Sequence, residues 1–242
     1  MKNIIEKMED LPLNGFQSWA SQLRWDNLIQ MLITVAGCVL CISFHETCHG
    51  LAAYALGDPT AKRAGRLTLN PLKHIDPMGI VMLALVKFGW AKPVPVNMRN
   101  FRNPKAGMAL TALAGPLGNL VLAMVCMTLD AVCLFYLYRF GAGWLFYVHQ
   151  FLTYTAILSV GLAVFNLFPV PPLDGSKLLF AFLPQQAYYK LMRYERYGMA
   201  LLMILLLTGV LDRPLFFLRD GMLDLLSRLC IWPYQLLQVI YS

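Results

Sequence analysis

Charged residues are scarce in this chain: they make up 14% of its 242 residues, whereas hydrophobic residues make up 58%. A soluble globular domain usually has about 25% charged and about 45–50% apolar residues. The scarcity of charge therefore argues against a soluble domain and favours an integral membrane protein. Because apolar runs of spanning length occupy most of the chain, we expect one membrane domain and no separate soluble one.

The signals of several other protein classes are also missing. The sequence has no Asn-X-Ser/Thr glycosylation site, no internal repeat and no nucleic-acid-binding motif, so no nucleic-acid partner is expected. Its six cysteines lie within or beside apolar segments, as small buried hydrophobes do, and show no disulfide framework. The opening MKNIIEKMEDLPLNG lacks the order of a cleavable signal peptide, so the first apolar helix is expected to direct insertion.

What the sequence does contain is a series of long apolar segments, which predict an all-α, polytopic helical bundle. The count expected from segment length is about four to six membrane helices. A short re-entrant or strand-like element is expected around residues 78–98, where WAKPVPVN favours an extended chain. The three clearest spanning segments run over residues 28–56, 106–138 and 144–168.

These segments predict three parts of the chain. Residues 1–27 form an N-terminal segment expected outside the cytoplasm, and residues 28–211 form the membrane-embedded domain. Residues 212–242 form a C-terminal helix that is either amphipathic or an additional membrane helix. The loop from Gly57 to Gly107 carries nine basic and two acidic residues, so it is expected on the cytoplasmic side.

The most informative motif is His45-Glu46-Thr47-Cys48-His49, which lies near the end of the first apolar segment. Residues four apart share one face of a helix, so the two histidines point the same way and suit one Zn²⁺ ion. Glu46 is placed beside that ion, where a general base for a water molecule is needed. A catalytic zinc wants three protein ligands, so the motif alone is incomplete.

Asp174 is the strongest candidate for the third ligand, ahead of Cys41, His74 and His149. It lies within the segment NLFPVPPLDG, whose prolines interrupt regular structure, and this segment returns to the membrane side of the histidine motif. A carboxylate at membrane depth is costly unless it is paired or bound to a metal. An alternative role for Asp174 is to cap the helix that begins near Ser176.

Together these residues resemble the site-2 protease family of intramembrane zinc metalloproteases, peptidase family M50. The resemblance rests on HETCH at 45–49, AGPLGN at 114–119 and NLFPVPPLDG at 166–175, and it covers roughly residues 35 to 180. HGLAAYALGD, GRLTLNPLKHIDPMG and WAKPVPVN further resemble the compact bacterial branch. Neither a PDZ-like insertion nor a CBS-like extension is recognisable.

The resemblance implies a three-helix catalytic core that holds one Zn²⁺ ion per chain near the cytoplasmic face of a bacterial cell membrane. His45, His49 and Asp174 would bind the ion, and Glu46 would activate water. Asn119 would position the substrate or stabilise the developing oxyanion. Residues Pro93, Val94, Pro95 and Val96 would present an edge to an unwound substrate. The implied partners are the lipid bilayer and membrane proteins whose transmembrane helices are cleaved.

Two other functions stay open at this point. A membrane metal transporter would use the same side chains as a transit site, but it would also need polar residues along a path through the outer half of the bilayer. A catalytically inactive relative that acts as a membrane binding module would be expected to have lost a ligand or the glutamate, and neither is missing.

Overall fold

The computed structural model describes residues 25–76, 78–79, 91–184, 186–188 and 197–241. Almost all of the predicted N-terminal segment 1–27 therefore lies outside the described residues. Residues 80–90 of the predicted re-entrant element also lie outside them. The helices, numbered in chain order, are α1 (Trp25–Ala55), α2 (Thr60–Arg63), α3 (Pro104–Phe140), α4 (Gly143–Leu167), α5 (Asp174–Ala181), α6 (Gly198–Leu207), α7 (Asp212–Cys230) and α8 (Trp232–Tyr241).

The described part of the chain is helical and contains no β-strand, which confirms the predicted all-α bundle. An isolated antiparallel bridge joins Ile75 to Ala91, and residues 92–97 follow it without regular structure. The stretch WAKPVPVN is thus an irregular segment in its described part. Short 3-10 turns at Pro71–Lys73 and Met98–Asn100 complete the loop between α1 and α3.

Helices α1, α3 and α4 are long and apolar enough to cross a membrane. A fourth crossing results if α6 is counted with α7 and α8 as one span that is bent by 87°. The sequence segments 28–56, 106–138 and 144–168 predicted the three long helices to within a few residues of their ends. The chain is an integral membrane protein.

Local sequence signals set the ends of these helices. Asn103 caps α3 by accepting a hydrogen bond from the Ala106 N–H (3.2 Å), and Pro104 takes the first helical position, where no N–H is needed. At the other end Gly141 has φ 64°, a left-handed conformation that glycine adopts without strain. α1 ends in the same way at Gly57, whose φ is 102°.

The core between the three long helices is apolar at the middle of their length. Cys41, Leu122 and Ala156 lie at or next to the midpoints of α1, α3 and α4, and they belong to one buried cluster with Val160 and with Leu226 of α7. Since the three spans alternate in direction, the end of α1, the start of α3 and the end of α4 meet on one side. The loop 57–103 and the turn that leads to Asp174 are therefore on the same side.

Asp58, which follows α1, ties this loop to the helix. Its buried carboxylate accepts hydrogen bonds from the Asn97 N–H (2.7 Å), the Asn100 side chain (2.6 Å) and the Thr60 N–H (3.1 Å). Burial raises the pKa of this carboxyl, but the hydrogen bonds from Thr60, Asn97 and Asn100 outweigh it and hold the pKa below its usual range. The carboxylate therefore stabilises the loop above a pH of about 4, and this contribution is lost as the pH falls through the lowered pKa.

Asp58→Ala is expected to release residues 92–100 from the end of α1. Each buried donor left without its acceptor costs about 1–3 kcal/mol, so thermal unfolding should occur at lower temperature and proteases should cut the 92–103 loop faster. Limited proteolysis in detergent at neutral pH measures this. Asp76→Ala is the matched control, because the described donors to Asp76 are only the nearby N–H groups of Met78 and Gly79. Equal cleavage rates in the two variants would contradict the role of Asp58.

Candidate metal centre

The structure brings His45, His49 and Asp174 together in one buried cluster. Asp174 Oδ2 lies 3.2 Å from His45 Nε2 and 3.0 Å from His49 Nε2, and the two Nε2 atoms lie 3.0 Å apart. The exposed fractions of the three residues are 5%, 8% and 8%. Among the described residues this is the one group of three or more His, Cys, Asp or Glu side chains spaced to hold a metal ion.

The spacing of these three atoms matches one face of a zinc tetrahedron. Zinc lies about 2.0–2.1 Å from its nitrogen and oxygen ligands, so two ligand atoms in tetrahedral geometry are about 3.3 Å apart. The observed separations of 3.0–3.2 Å are close to that value. Two imidazoles and a carboxylate are also a donor set that catalytic zinc sites use, and they leave a fourth position open.

Helix α3 fixes the tautomer of His49. The His49 Nδ1 atom lies 2.7 Å from the carbonyl oxygen of Thr111, which accepts a hydrogen bond only if Nδ1 carries the proton. The lone pair is then on Nε2, the atom that points at His45 and Asp174. The buried Nδ1 of His45 has no hydrogen-bond partner in the described part of the protein.

Gly115, in the AGPLGN motif of α3, leaves room for both imidazole rings. A Cβ atom at this position would lie 2.7 Å from His45 Cε1 and closer still to the ring of His49. No real Cβ makes such contacts, so α3 approaches the ligands this closely only because residue 115 has no side chain. The motif thus shapes the metal centre from the neighbouring helix.

Gly115→Ala is expected to displace the histidine rings and to weaken zinc binding by at least about tenfold, the range seen when groups that support metal ligands are changed. Competition with a zinc chelator, followed by metal analysis of the purified protein, measures the change. Gly161→Ala in α4 is the matched control, because a Cβ atom there meets nothing within 4 Å. A zinc affinity unchanged in Gly115→Ala would contradict the packing argument.

Asp174 reaches the histidines because the chain leaves α4 abruptly. Helix α4 ends at Leu167, and the segment Phe168–Leu173 contains three prolines that cannot continue it. Gly175 then packs on the carbonyl of Leu167, so closely that no side chain fits between them. Asp174 is the first residue of α5, and its carboxylate contacts the histidines and makes no capping hydrogen bond to that helix.

The charge of Asp174 is balanced by its neighbours. Lys177 Nζ lies 3.5 Å from Asp174 Oδ1, the oxygen that faces away from the histidines. This contact favours the ionised carboxylate, which is the form that binds metal.

Glu46 lies in the same cavity as the three candidate ligands. The cavity has a volume of about 400 Å³ and is lined by residues of α1, α3, α4 and α5 together with Pro93, Val94 and Val96. Glu46 Oε2 accepts a hydrogen bond from the Val94 N–H (2.9 Å), which holds the carboxylate in place. A positioned carboxylate beside a metal site can take a proton from water.

The remaining predicted site residues divide into two groups. Pro93, Val94 and Val96 line the cavity, and Pro95 lies between them in the same segment. Asn119 does not line the cavity: it is fully buried in α3, one turn beyond Gly115, and its side-chain atoms have no hydrogen-bond partner among the described residues. Its proposed contact with substrate or oxyanion stays a prediction.

The side chains weighed against Asp174 lie elsewhere. Cys41 donates a hydrogen bond from Sγ to the carbonyl of Thr155 (3.4 Å), and His74 Nε2 lies 2.7 Å from the carbonyl oxygen of Thr68. His149 pairs with Asp130 in the far half of α3, with 2.7 Å between Nδ1 and Oδ1. None of the three belongs to the metal cluster.

Three contributions to the site were not predicted from the sequence. The Thr111 carbonyl is a backbone group and carries no sequence signal. Lys177 could have been found, because a residue three positions after Asp174 shares its helix face. Gly115 belongs to a recognised motif, but its role depends on how close α3 comes to the histidines.

Comparison with known proteins shows the family. The model of peptidase family M50 matches residues 136–209, which include Asp174. "Putative zinc metalloprotease YwhC" of Bacillus subtilis is 36% identical over 193 residues, 78% of this chain and 88% of that protein. "Putative zinc metalloprotease Rip2" of Mycolicibacterium smegmatis is 29% identical over 189 residues, 76% of this chain and 70% of that protein. No solved structure matches the chain.

The chain therefore belongs to peptidase family M50 and is a zinc metalloprotease, with Zn²⁺ as its cofactor. This identification confirms the family that HETCH, AGPLGN and NLFPVPPLDG indicated. Because the enzyme is a protease, its substrates are proteins.

Proposed function

We propose that this metalloprotease hydrolyses peptide bonds within transmembrane segments of other membrane proteins, for regulated intramembrane proteolysis or for clearance of signal peptides. The observation that carries the proposal is the depth of the candidate site. His49 and His45 precede the end of α1 by six and ten residues, or about 9 Å and 15 Å of helix rise. These two candidate ligands thus belong to a helix that is apolar enough to span a membrane, which supports a cavity at membrane depth, where the bonds within reach would belong to membrane-embedded chains.

In the proposed mechanism His45, His49 and Asp174 hold the metal and Glu46 is the base. A zinc ion held by these residues would supply Lewis-acid chemistry, which polarises a scissile carbonyl and lowers the pKa of a water molecule. Glu46 takes a proton from the attacking water and passes it to the nitrogen of the departing amine. The Val94 N–H holds Glu46 for this task, and the Thr111 carbonyl holds the ring of His49.

The segment 92–97 is proposed to receive the unwound substrate. The N–H groups of Lys92, Val94 and Asn97 already donate to His74, Glu46 and Asp58, and the two prolines have none. Among the described residues the Val96 N–H has no acceptor, and the carbonyl groups of residues 92–96 have no donor, whereas the Asn97 carbonyl accepts a bond from the Asn100 N–H. A substrate strand would thus bind mainly by donating its own N–H groups to these carbonyls.

The cavity is proposed to open toward the cytoplasm of a bacterial cell. The excess of basic residues in the 57–107 loop supports this orientation, since loops rich in Lys and Arg stay on the cytoplasmic side. Residues 1–27 would then lie outside the cytoplasm, residues 28–211 would form the protease domain, and residues 212–242 would add a further membrane helix.

The site of cleavage tests this proposal. A membrane-anchored candidate substrate is co-expressed with the protease, and mass spectrometry of the fragments locates the broken bond. We expect it within the transmembrane segment, on the cytoplasmic half. The control substrate carries the same cytoplasmic domain without its membrane helix and should stay intact. Cleavage of that soluble domain, or a broken bond outside the membrane segment, would contradict intramembrane proteolysis.

A further inference from the structure

Helix α7 carries charged side chains beside the middle of the three long helices. Its residue Leu226 packs in one buried cluster with Cys41, Leu122 and Ala156, which mark the middle of the three long spans. Asp224 and Arg228 lie two residues from Leu226, about 3 Å of helix rise on either side, and a tilted helix brings them nearer still to the same depth. A hydrocarbon core centred on the middle of the long helices extends about 15 Å on each side and would enclose both charges.

Helix α7 has three distinct faces. Leu215, Met222, Leu226 and Cys230 recur at spacings of seven, four and four residues and pack against α3 and α4. A second, apolar face is exposed and consists of Leu218, Leu225 and Leu229. The third face, here called the charged face, is also exposed and consists of Arg213, Phe217, Asp220, Asp224 and Arg228.

The ion pairs of the charged face lie within α7, and no described residue outside this helix forms an ion pair with it. Asp220 pairs with Arg219, at 2.7 Å between Oδ1 and Nη2. Arg228 pairs with Asp224 of the same helix, at 2.8 Å between Nη2 and Oδ2, but their side chains are 75% and 61% exposed. Charged side chains in the hydrocarbon region almost always face protein or water. The apolar face of α7 suits lipid, whereas the charged face needs a polar partner.

We propose that the charged face of α7 is the contact between two copies of this chain. It carries both acids and bases, so it is complementary to itself. Copies inserted in the same direction are related by a twofold axis along the bilayer normal, which sets two α7 helices side by side with equal residues at equal depth. The guanidinium of Arg228 has five N–H donors, and those not used within its own helix reach Asp224 of the second copy. A bound apolar substrate helix would offer no hydrogen-bonding groups to Asp224 and Arg228, so it suits this face less well than a second copy does.

Cysteine cross-linking in lipid vesicles tests this contact with the full chain. Phe217→Cys places a thiol within the charged face, and Leu225→Cys places one on the exposed apolar face as a matched control. The parent chain, with its six cysteines, gives the background. We expect oxidation to link Phe217→Cys chains into dimers and to leave Leu225→Cys chains at the background level. Equal linking in the two variants, or none above background in Phe217→Cys, would overturn the proposal.

Charge exchange shows whether the ion pairs hold the two copies together. Asp224→Arg gives a face with only basic side chains at these two positions, and Arg228→Asp gives one with only acidic side chains. Each variant alone is expected to lose the Phe217→Cys cross-link, whereas a mixture of the two should regain it as a heterodimer. The double variant, Asp224→Arg with Arg228→Asp, should also regain it, which shows that the charges are tolerated in the fold. Failure of both the mixture and the double variant to cross-link would overturn the role of the charges.

Discussion

Glu46→Gln is expected to abolish detectable cleavage while the protein stays folded and keeps its zinc. The amide has nearly the shape of the carboxylate, and its oxygen can still accept the hydrogen bond from the Val94 N–H. It cannot take a proton from water, and loss of a general base typically costs about 100- to 10,000-fold in rate. Co-expression of each form with a membrane-anchored substrate, followed by quantification of the fragment, measures the difference.

Two further measurements make this result specific. Metal analysis should find one zinc per chain in both wild type and Glu46→Gln, because Glu46 is not among the three clustered ligand atoms. Thermal unfolding should be unchanged, which excludes misfolding as the cause of lost activity. Substantial residual cleavage by Glu46→Gln would show that another group is the base, and loss of zinc would show that Glu46 is a ligand.

Asp174→Ala is expected to release the zinc ion. It removes the carboxylate oxygen that lies 3.0–3.2 Å from both imidazole nitrogens, so only two ligands remain. Changes in groups that merely support metal ligands already cost about 10- to 100-fold in affinity, and loss of a ligand should cost at least the upper value. Metal content after dialysis against a weak chelator gives the affinity, and cleavage should be lost in parallel.

Asp130→Ala is the matched control for this loss. Asp130 is likewise a partly buried aspartate in contact with a histidine, at 2.7 Å between its Oδ1 and His149 Nδ1, but it lies in the far half of α3. If Asp174 acts as a ligand, we expect Asp130→Ala to keep its zinc under the conditions that remove zinc from Asp174→Ala. Loss of zinc in both variants would indicate a general effect on stability, and retention in both would remove Asp174 from the ligand set.

Much of this architecture could be predicted because membrane helices leave strong local signals. The three long helices follow directly from apolar segment length, and their ends from Asn103, Gly141 and Gly57. The histidine motif depends only on the helical repeat. Asp174 could be predicted as a ligand because prolines that break a helix at membrane depth indicate that the chain there lines a cavity or is buried in protein.

The rest depended on distances between helices, which the sequence does not give. The approach of α3 to the histidines decides both the role of Gly115 and the bond from His49 to the Thr111 carbonyl. The position of Asn119, one turn past Gly115 and away from the cavity, likewise follows from how α3 is placed. The position of the charged face of α7 beside the middle of the long helices could not be predicted before Leu226 was located in the core.

The central claim is that one carboxylate and two imidazoles from separate elements meet at a single zinc ion. X-ray absorption at the zinc edge of the purified protein tests it most directly. We expect nitrogen and oxygen neighbours at about 2.0–2.1 Å, two of them imidazole, and no sulfur at about 2.3 Å. Zinc–sulfur scattering in the wild-type protein, or a spectrum and zinc content that stay the same in Asp174→Ala, would contradict the claim.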